Sequence, residues 1–154
     1  MPINGFNKTT LLDYPGKIAS TIFLGGCNFR CPFCQNSSLV LSPNKQPVIS
    51  TEEVLSVLKK RQGILEGVCI TGGEPTSDKE LFLLIDKIKE LGYPVKLDTN
   101  GSHPLILKKL VNNQMIDMVA MDIKSSKESY AKVSGCKNID LTSICESVEF
   151  LLSN

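Results

Sequence analysis

Three cysteines fall within eight residues of the segment GGCNFRCPFCQN, between Gly25 and Asn36. Cys27, Cys31 and Cys34 have the spacing C-x3-C-x2-C. Eight residues span at most about 28 Å when fully extended, and less when folded, so the three sulfurs can reach one metal centre. Cysteine thiolates hold the irons of iron–sulfur clusters. A [4Fe–4S] cube has four corners, so three cysteines would leave one iron open to a ligand that is not protein.

Other roles for these cysteines fit the sequence less well. A structural zinc site usually has four ligands, often as two short pairs, and the remaining candidates form no second pair. These candidates are Cys69, His103, Cys136 and Cys145. A ferredoxin-type cluster would need a fourth cysteine at a suitable spacing. Disulfides are not expected, because the sequence shows no secretory signal and thiols in the cytosol stay reduced.

Apolar, β-branched segments alternate with amphipathic segments along the rest of the chain, which predicts four strand–helix units. The expected strands are Ile18 to Leu24, Val68 to Thr71, Val95 to Asp98 and Met118 to Ile123. Capping boxes predict helices that begin after Ser50 and after Ser77, and the last helix is expected from Ser143 to Leu152. We expect Ser37 to Pro47 to be a loop, and Met1 to Asp13 to be an edge strand or arm.

Strand–helix alternation is typical of a parallel sheet in an α/β fold, because parallel neighbours need crossover connections. The polar and glycine-rich motifs all follow predicted strands: the cysteine loop, GGEP from Gly72, DTNG from Asp98 and MDIK from Met121. The carboxyl ends of parallel strands are where such folds bind ligands. We therefore expect all four motifs to meet at one rim of the sheet.

The motif C-x3-C-x-aromatic-C, with Phe33 as the aromatic residue, resembles the signature of the radical S-adenosylmethionine (SAM) superfamily. The preceding stretch GFNKTTLLDYPGKIASTIFLGGC is similar to activating proteins of anaerobic ribonucleoside-triphosphate reductase, which are relatives of the pyruvate formate-lyase activases. This resemblance extends from Gly5 to about Ser134. It implies a partial (β/α) barrel whose usual core has six units.

The resemblance also implies a set of site residues. Cys27, Cys31 and Cys34 would hold a [4Fe–4S] cluster, and SAM would bind beside it, in some relatives close to a monovalent cation. The residues that match the cofactor site are Phe33, Gly72, Gly73, Glu74, Asp98, Thr99, Asn100, Asp122 and Lys124. Independently of the resemblance, the Glu74 carboxylate is suited either to an ammonium group or to the start of a helix. Lys124 is suited to a carboxylate.

The activity implied by the resemblance is reductive cleavage of SAM to a 5′-deoxyadenosyl radical, which then generates a glycyl radical on a partner enzyme. The implied partners are a glycyl-radical enzyme and a flavodoxin- or ferredoxin-type reductant. The expected glycyl-radical enzyme is anaerobic ribonucleoside-triphosphate reductase. Three alternatives remain open: a radical SAM reaction on another glycyl-radical enzyme, a peptide or a small molecule; a non-catalytic iron–sulfur electron-transfer protein; and a zinc-stabilised interaction module. The first differs from the implied activity in the molecule that carries the radical, the second in the absence of SAM cleavage, and the third in its metal.

Composition gives no reason to expect nucleic-acid or membrane binding, because the formal net charge is +1 and the chain has no tryptophan. We expect a cytoplasmic protein. Residues 1–154 are expected to form one radical SAM core domain that lacks the last two units of the barrel. The edge of the fourth strand would then expose Met118, Val119 and Met121, so we expect either a fragment or self-association through this edge.

Four polar or sulfur-containing residues are expected to lie outside the site. Cys69 is predicted to be a core residue, and Cys145 to lie beside the buried face of the last helix. His103 is predicted to be a helix cap or a surface residue. Cys136 follows Ser134-Gly135 and is predicted to be a free thiol in a loop.

Overall fold

The computed structural model describes residues 2–154, so only Met1 of the predicted N-terminal arm lies outside the described residues. Five strands form one sheet in sequence order. β1 pairs antiparallel with β2, while β2 to β5 are parallel neighbours. The strands are β1 (Ile3–Thr10), β2 (Ala19–Leu24), β3 (Gly67–Gly72), β4 (Val95–Thr99) and β5 (Met118–Met121). The predicted α/β fold is confirmed. Of the two expectations for the N-terminal segment, an edge strand or an arm, the edge strand is confirmed by β1.

Six α-helices connect or flank the strands in the described part of the chain. They are α1 (Ser37–Leu41), α2 (Thr51–Lys60), α3 (Leu81–Glu90), α4 (Pro104–Asn112), α5 (Tyr130–Ser134) and α6 (Leu141–Leu152). Short 3-10 turns cover Pro43–Lys45, Pro75–Ser77 and Lys127–Ser129. α2, α3 and α4 are the crossovers that the parallel sheet requires.

The helix starts show where sequence patterns succeed and where they fail. The predicted cap at Ser50 is confirmed, because its hydroxyl accepts a 3.1 Å hydrogen bond from the N–H of Glu53. The predicted capping box at Ser77 is wrong: a 3-10 turn that starts at Pro75 contains Ser77, and α3 begins only at Leu81. The expectation of a loop from Ser37 to Pro47 is also wrong, because α1 and a 3-10 turn lie there. β5 ends two residues earlier than predicted.

The two faces of the sheet differ in polarity. On one face Ile22, Ile70 and Leu97 are fully buried in the main apolar core, together with apolar side chains of α2, α3 and α4. The opposite face carries Thr21, Cys69 and Lys96 as register neighbours on β2, β3 and β4. This alternation follows from the two-residue period of a strand. The site described below lies at the carboxyl end of the polar face.

The connection between β1 and β2 covers the polar face at its other end. The Thr21 hydroxyl donates to the carboxylate of Asp13, and the Tyr14 side chain is buried. A Cβ atom added to Gly67 would lie 2.9 Å from the Tyr14 ring, so the ring packs directly on the start of β3. The polar face is therefore closed near the strand starts.

β5 is an edge strand, because within residues 2–154 it pairs only with β4. Met118, Val119 and Met121 are half-buried, not exposed as expected. Val119 packs on the main core, and Met121 packs on a small cluster formed by Phe29, Tyr130 and Ile144. In the described residues we find no helix with the length and apolar character needed to cross a membrane.

Candidate functional site

A cavity of about 410 Å³ lies at the carboxyl ends of the parallel strands. Every residue that the sequence predicts for the cluster or the cofactor lines it. These residues are Cys27, Cys31, Phe33, Cys34, Gly72, Gly73, Glu74, Asp98, Thr99, Asn100, Asp122 and Lys124. The four motifs therefore meet at one rim, as the alternation of strands and helices predicts.

The cysteine loop leaves β2 and folds against itself. Its three cysteines are free and partly exposed. The Phe29 N–H lies 3.3 Å from the Cys27 sulfur and donates to it, and the Arg30 guanidinium donates to the Phe29 carbonyl at 2.7 Å and to the Cys27 carbonyl. Phe33, with 59% of its surface exposed, stands at the cavity. The loop thus fixes its own backbone and keeps its sulfurs towards the cavity.

Gly73 allows the loop after β3 to lie directly against the cysteine loop. Its N–H donates to the Leu24 carbonyl at 2.8 Å, and the next N–H, of Glu74, donates to the Gly26 carbonyl at 2.9 Å. A Cβ atom at Gly73 would collide with the Gly26 carbonyl oxygen. Gly72 has φ +116°, in the region that favours glycine. Both glycines of GGEP are needed for this close approach.

The segment from Tyr130 to Cys136 supports the cysteine loop from the other side. The Arg30 N–H donates to the Ser134 carbonyl at 2.8 Å, and the Cys136 thiol donates to the Asn28 carbonyl at 3.2 Å. The Phe29 and Tyr130 rings meet edge to face with centroids 6.4 Å apart. Sequence reasoning missed this support, because α5 is too short to show a helical period. The hydrogen bond to Asn28 also gives Cys136 a defined position.

The three cysteines fit a cluster by their chemistry. Burial raises the pKa of the Cys27 thiol to about 11, and burial likewise raises the pKa of Cys31. Both are therefore protonated at neutral pH until a positive metal centre binds and displaces the protons. Among residues 2–154, no three His, Cys, Asp or Glu side chains converge on a single metal ion. A cubane binds each cysteine at a different iron, so its ligands need only surround a common volume.

Glu74 is buried, with 1% of its surface exposed, and its carboxylate is already hydrogen-bonded. It accepts hydrogen bonds from the Thr76 N–H at 3.0 Å and from the Thr99 hydroxyl and the Asn100 N–H, both at 2.7 Å. It lies at the N-cap of the 3-10 turn, which agrees with the simpler of its two predicted roles. The contact with an ammonium group stays a prediction.

Asn100 connects this network to the cysteine loop. Its side-chain N–H donates to Asn28 Oδ1 at 2.9 Å, and the same nitrogen lies 3.9 Å from the Cys27 sulfur. The Asn28 side chain in turn donates to the Ser102 hydroxyl at 2.8 Å. The Asn100 side chain is thus engaged in holding the loop. Its predicted contact with SAM remains untested.

Each of the two rim aspartates is paired with a lysine two residues away. Lys124 lies 2.8 Å from Asp122, and Lys96 forms an ion pair with Asp98. Burial alone would lower the pKa of each lysine, but the hydrogen bond to the neighbouring aspartate contributes to a net rise. Both lysines therefore stay charged at neutral pH. Sequence reasoning missed Lys96, although its position two residues before Asp98 places both on one face of β4.

Cys69 and His103 lie behind the cavity wall. Cys69 is fully buried, as predicted, and its thiol lies 3.5 Å from Asp98 Oδ2. Burial, followed by the charge of Asp98, raises the pKa of Cys69 to about 12. His103 occupies the N-cap position of α4 without a side-chain cap bond, and its Nδ1 lies 2.9 Å from the Thr76 hydroxyl. Cys145 is half-buried on α6.

Comparisons with known proteins agree with this geometry. The family model described as "Radical SAM superfamily" matches residues 21–154. A protein of Methanocaldococcus jannaschii, provisionally named as a glycyl-radical enzyme activating enzyme, is 35% identical over 136 residues, which are 88% of this chain and 55% of that protein. A probable GTP 3′,8-cyclase of Saccharolobus islandicus is 31% identical over 120 residues, 74% of this chain and 37% of that protein.

A solved structure of TYW1 with a lysine–pyruvate adduct bound superimposes with a TM-score of 0.58. The match covers 88% of this chain and 52% of that one, at 18% identity, so it supports the fold alone. The chain spans about half, or less, of the length of each of these proteins.

Proposed function

The chain belongs to the radical SAM superfamily, and we propose that it is the cofactor-binding part of an enzyme that generates a glycyl radical on a partner protein. The observation that carries the proposal is the single cavity at which Cys27, Cys31 and Cys34 meet the polar ends of β3, β4 and β5. The choice of a glycyl-radical activase is supported by the 35% identity to the M. jannaschii protein.

Cys27, Cys31 and Cys34 would hold a [4Fe–4S] cluster at three of its irons, and the cavity beside them would take SAM. When both are bound, they supply a one-electron reductive cleavage of SAM to methionine and a 5′-deoxyadenosyl radical. The chain's own residues would position these groups. The hydrogen-bond network from Glu74 through Asn100 keeps the cysteine loop at a fixed distance from β4.

The polar residues of the rim suit the methionine end of SAM. The Lys124 ammonium, whose side chain is 19% exposed, donates to Asp122 and has further N–H groups for a carboxylate of the ligand. A charge-assisted hydrogen bond there would orient the ligand. The backbone of Gly72 and Gly73 offers polar groups without side-chain obstruction for the amino group. Phe33 offers an aromatic surface at the cavity. A monovalent cation beside Asp98 and Asp122 would compete with the ammonium groups of Lys96 and Lys124 for the same oxygens.

We propose a glycine residue of a glycyl-radical enzyme as the substrate, with anaerobic ribonucleoside-triphosphate reductase as the favoured partner. The stretch GFNKTTLLDYPG, which covers β1 from Gly5 onward and most of the connection that closes the polar face, supports this choice through its resemblance to the reductase activases. A flavodoxin- or ferredoxin-type protein in the cytoplasm would supply the electron.

A radical SAM reaction on a small molecule is the second candidate. The observation that favours it is the 31% identity to the S. islandicus protein, whose name describes a reaction on GTP. The two candidates share the cluster and SAM, so only the molecule that donates the hydrogen atom, a protein glycine or a small molecule, separates them.

Anaerobic reconstitution of the chain with iron and sulfide, followed by reduction with dithionite, tests the proposal. We expect SAM to be cleaved to 5′-deoxyadenosine, and a doublet electron paramagnetic resonance (EPR) signal to appear when the reductase is added. The matched controls are Cys31→Ala in this chain and alanine in place of the radical glycine in the reductase. SAM cleavage that never yields a protein radical would favour the small-molecule candidate, whereas a reducible cluster without SAM cleavage would favour an electron-transfer protein.

A further inference from the structure

The cysteine loop and the segment that supports it carry only positively charged side chains. Residues 25–36 contain one charged residue, Arg30, and residues 130–139 contain two, Lys132 and Lys137. Neither segment contains an aspartate or glutamate. The whole chain has 17 basic and 16 acidic residues, so these two segments differ from the rest of the chain in lacking acidic residues. We refer to Arg30, Lys132 and Lys137 as the basic patch.

The two segments are held together by the contacts that support the cysteine loop. The Arg30 N–H donates to the Ser134 carbonyl, and a Cβ atom at Gly135 would collide with the Arg30 carbonyl oxygen. Lys132 and Lys137 are two and three residues from Ser134 along the chain. Consecutive Cα atoms are about 3.8 Å apart, so all three backbones lie within roughly 12 Å of this contact. The patch is therefore compact.

The basic patch has no acidic partner among the described residues. All three side chains belong to exposed residues, and none forms an ion pair there. The Arg30 guanidinium donates to carbonyl oxygens of its own loop. Two acids flank residues 130–139 in sequence. Asp140 accepts hydrogen bonds from the N–H groups of Thr142 and Ser143 at the start of α6, and Glu128 is hydrogen-bonded to its own backbone N–H and to Ser126. The three positive charges are thus free to attract a partner.

We propose that the basic patch docks an acidic electron-transfer protein, which passes one electron to the cluster. This rests on the proposed function, because it needs a cluster on Cys27, Cys31 and Cys34. Arg30 stands between two of these cysteines in sequence, and Cys31 and Cys136 pack against the same apolar cluster. A partner seated at Arg30 is adjacent to the cluster, because Arg30 directly precedes Cys31. In the step, the donor loses one electron and the cluster gains one, with no atom transferred.

Electrostatic steering gives this surface a measurable signature. A patch of one sign raises the association rate of an oppositely charged protein by about 10- to 1,000-fold, and the gain falls with ionic strength. Charges beyond about 8 Å are largely screened at 0.15 M salt. Three charges are few for nucleic-acid binding, where affinity depends on many phosphate contacts.

The test is stopped-flow reduction of the reconstituted chain by a photoreduced flavodoxin of negative net charge. The reduction is monitored as the loss of the cluster absorbance. The patch variant combines Lys132→Glu and Lys137→Glu. The control variant combines Lys59→Glu and Lys60→Glu. Lys59 and Lys60 are exposed residues at the end of α2, near the start of β3 and away from the rim. Both variants change the net charge by the same amount.

At low salt we expect the bimolecular rate to fall at least tenfold in the patch variant and less than twofold in the control. Added salt should slow the unmodified chain towards the rate of the patch variant. An equal loss in both variants, or no loss in the patch variant, would overturn the proposal. If the double glutamate variant loses its cluster, the neutral pair Lys132→Gln and Lys137→Gln is compared with the neutral control pair Lys59→Gln and Lys60→Gln. We then expect a fall of about threefold in the patch pair, and an equal loss in both pairs or no loss in the patch pair would overturn the proposal.

Dithionite separates this test from that of the proposed function. Dithionite is a small molecule that needs no docking surface, so it should reduce the cluster of every variant at the same rate and support the same SAM cleavage. If SAM is not cleaved even with dithionite, the proposed function fails, while the flavodoxin rates still decide whether the basic patch docks a donor.

Discussion

The carboxylate of Glu74 accepts a 2.7 Å hydrogen bond from the backbone N–H of Asn100, which ties the loop after β3 to the loop after β4. The Asn100 side chain continues the connection to Asn28 in the cysteine loop. Three loops that are distant in sequence are thus joined by one buried acid and one buried amide. This arrangement makes the acid of the GGEP motif part of the framework of the site.

Glu74→Ala is therefore expected to destabilise the fold. Removing the carboxylate leaves buried donors on Thr76, Thr99 and Asn100 without an acceptor, at about 1–3 kcal/mol for each such group. Because the loops can relax partly, we expect the free energy of unfolding to fall by about 3 kcal/mol in urea denaturation of the metal-free chain. Glu90→Ala, at an exposed site, should change it by less than about 0.5 kcal/mol. A stable Glu74→Ala variant that nevertheless lost SAM would place the carboxylate in the cofactor site instead.

The next prediction concerns which cysteines hold the cluster. Alanine at Cys27, Cys31 or Cys34 should each abolish the cluster absorbance after reconstitution, because a cube held at only two corners is readily lost. Cys69→Ala, Cys136→Ala and Cys145→Ala should keep it, with iron and sulfide measured directly. Cys136→Ala is the most demanding control, since its thiol contacts the Asn28 carbonyl within the cysteine loop. Loss of the cluster in one of these three would contradict the assignment of ligands.

Lys124→Ala should weaken SAM binding without removing iron. Losing one charge-assisted hydrogen bond costs about 1.5–3 kcal/mol, which corresponds to roughly a ten- to hundredfold loss of affinity. Isothermal titration of the reconstituted protein with SAM measures this change. Lys108→Ala is the matched control, because Lys108 is also paired with an acid, Glu146 at 2.7 Å, but lies away from the cavity. Equal affinity in the two variants would be evidence against Lys124 as a cofactor ligand.

The sequence predicted the rim because its signals are local. A two-residue period places side chains on one face of a strand, and the end of each apolar run marks the carboxyl end of that strand. For this reason Cys27, Gly73, Asp98 and Asp122 could all be assigned to one edge before the structure was known. The parallel order of β2 to β5 follows from the crossovers, so it too could be predicted.

The sequence could not predict contacts between segments that are far apart in the chain. The support of Arg30 by Ser134 spans about a hundred residues and uses backbone atoms, which leave no sequence pattern. The sequence does not indicate the ion pair of Lys96 with Asp98, because a lysine inside a strand is typical of a solvent-exposed position, whereas Lys96 is buried in the structure. The failed capping box at Ser77 has a similar cause, since the turn begun by Pro75 delays the start of α3.

Lys96→Met should show how much the buried ion pair stabilises the fold, and at which pH. Removing one partner of a fully buried pair costs about 3–5 kcal/mol, and because the Asp98 side chain is 30% exposed we expect about 2 kcal/mol at pH 7. The pKa of Lys96 is raised above 10.5 in the folded state, so its contribution is complete below that pH and is lost as the pH rises through the folded pKa. The difference in unfolding free energy between the unmodified chain and Lys96→Met should therefore be the same at pH 7 and pH 9, and shrink at pH 11.

Lys89→Met, which breaks a more exposed pair with Asp117, should cost less than about 1 kcal/mol at pH 7. A difference for Lys96→Met that is unchanged at pH 11 would mean that Lys96 stabilises the fold by packing, not by its charge.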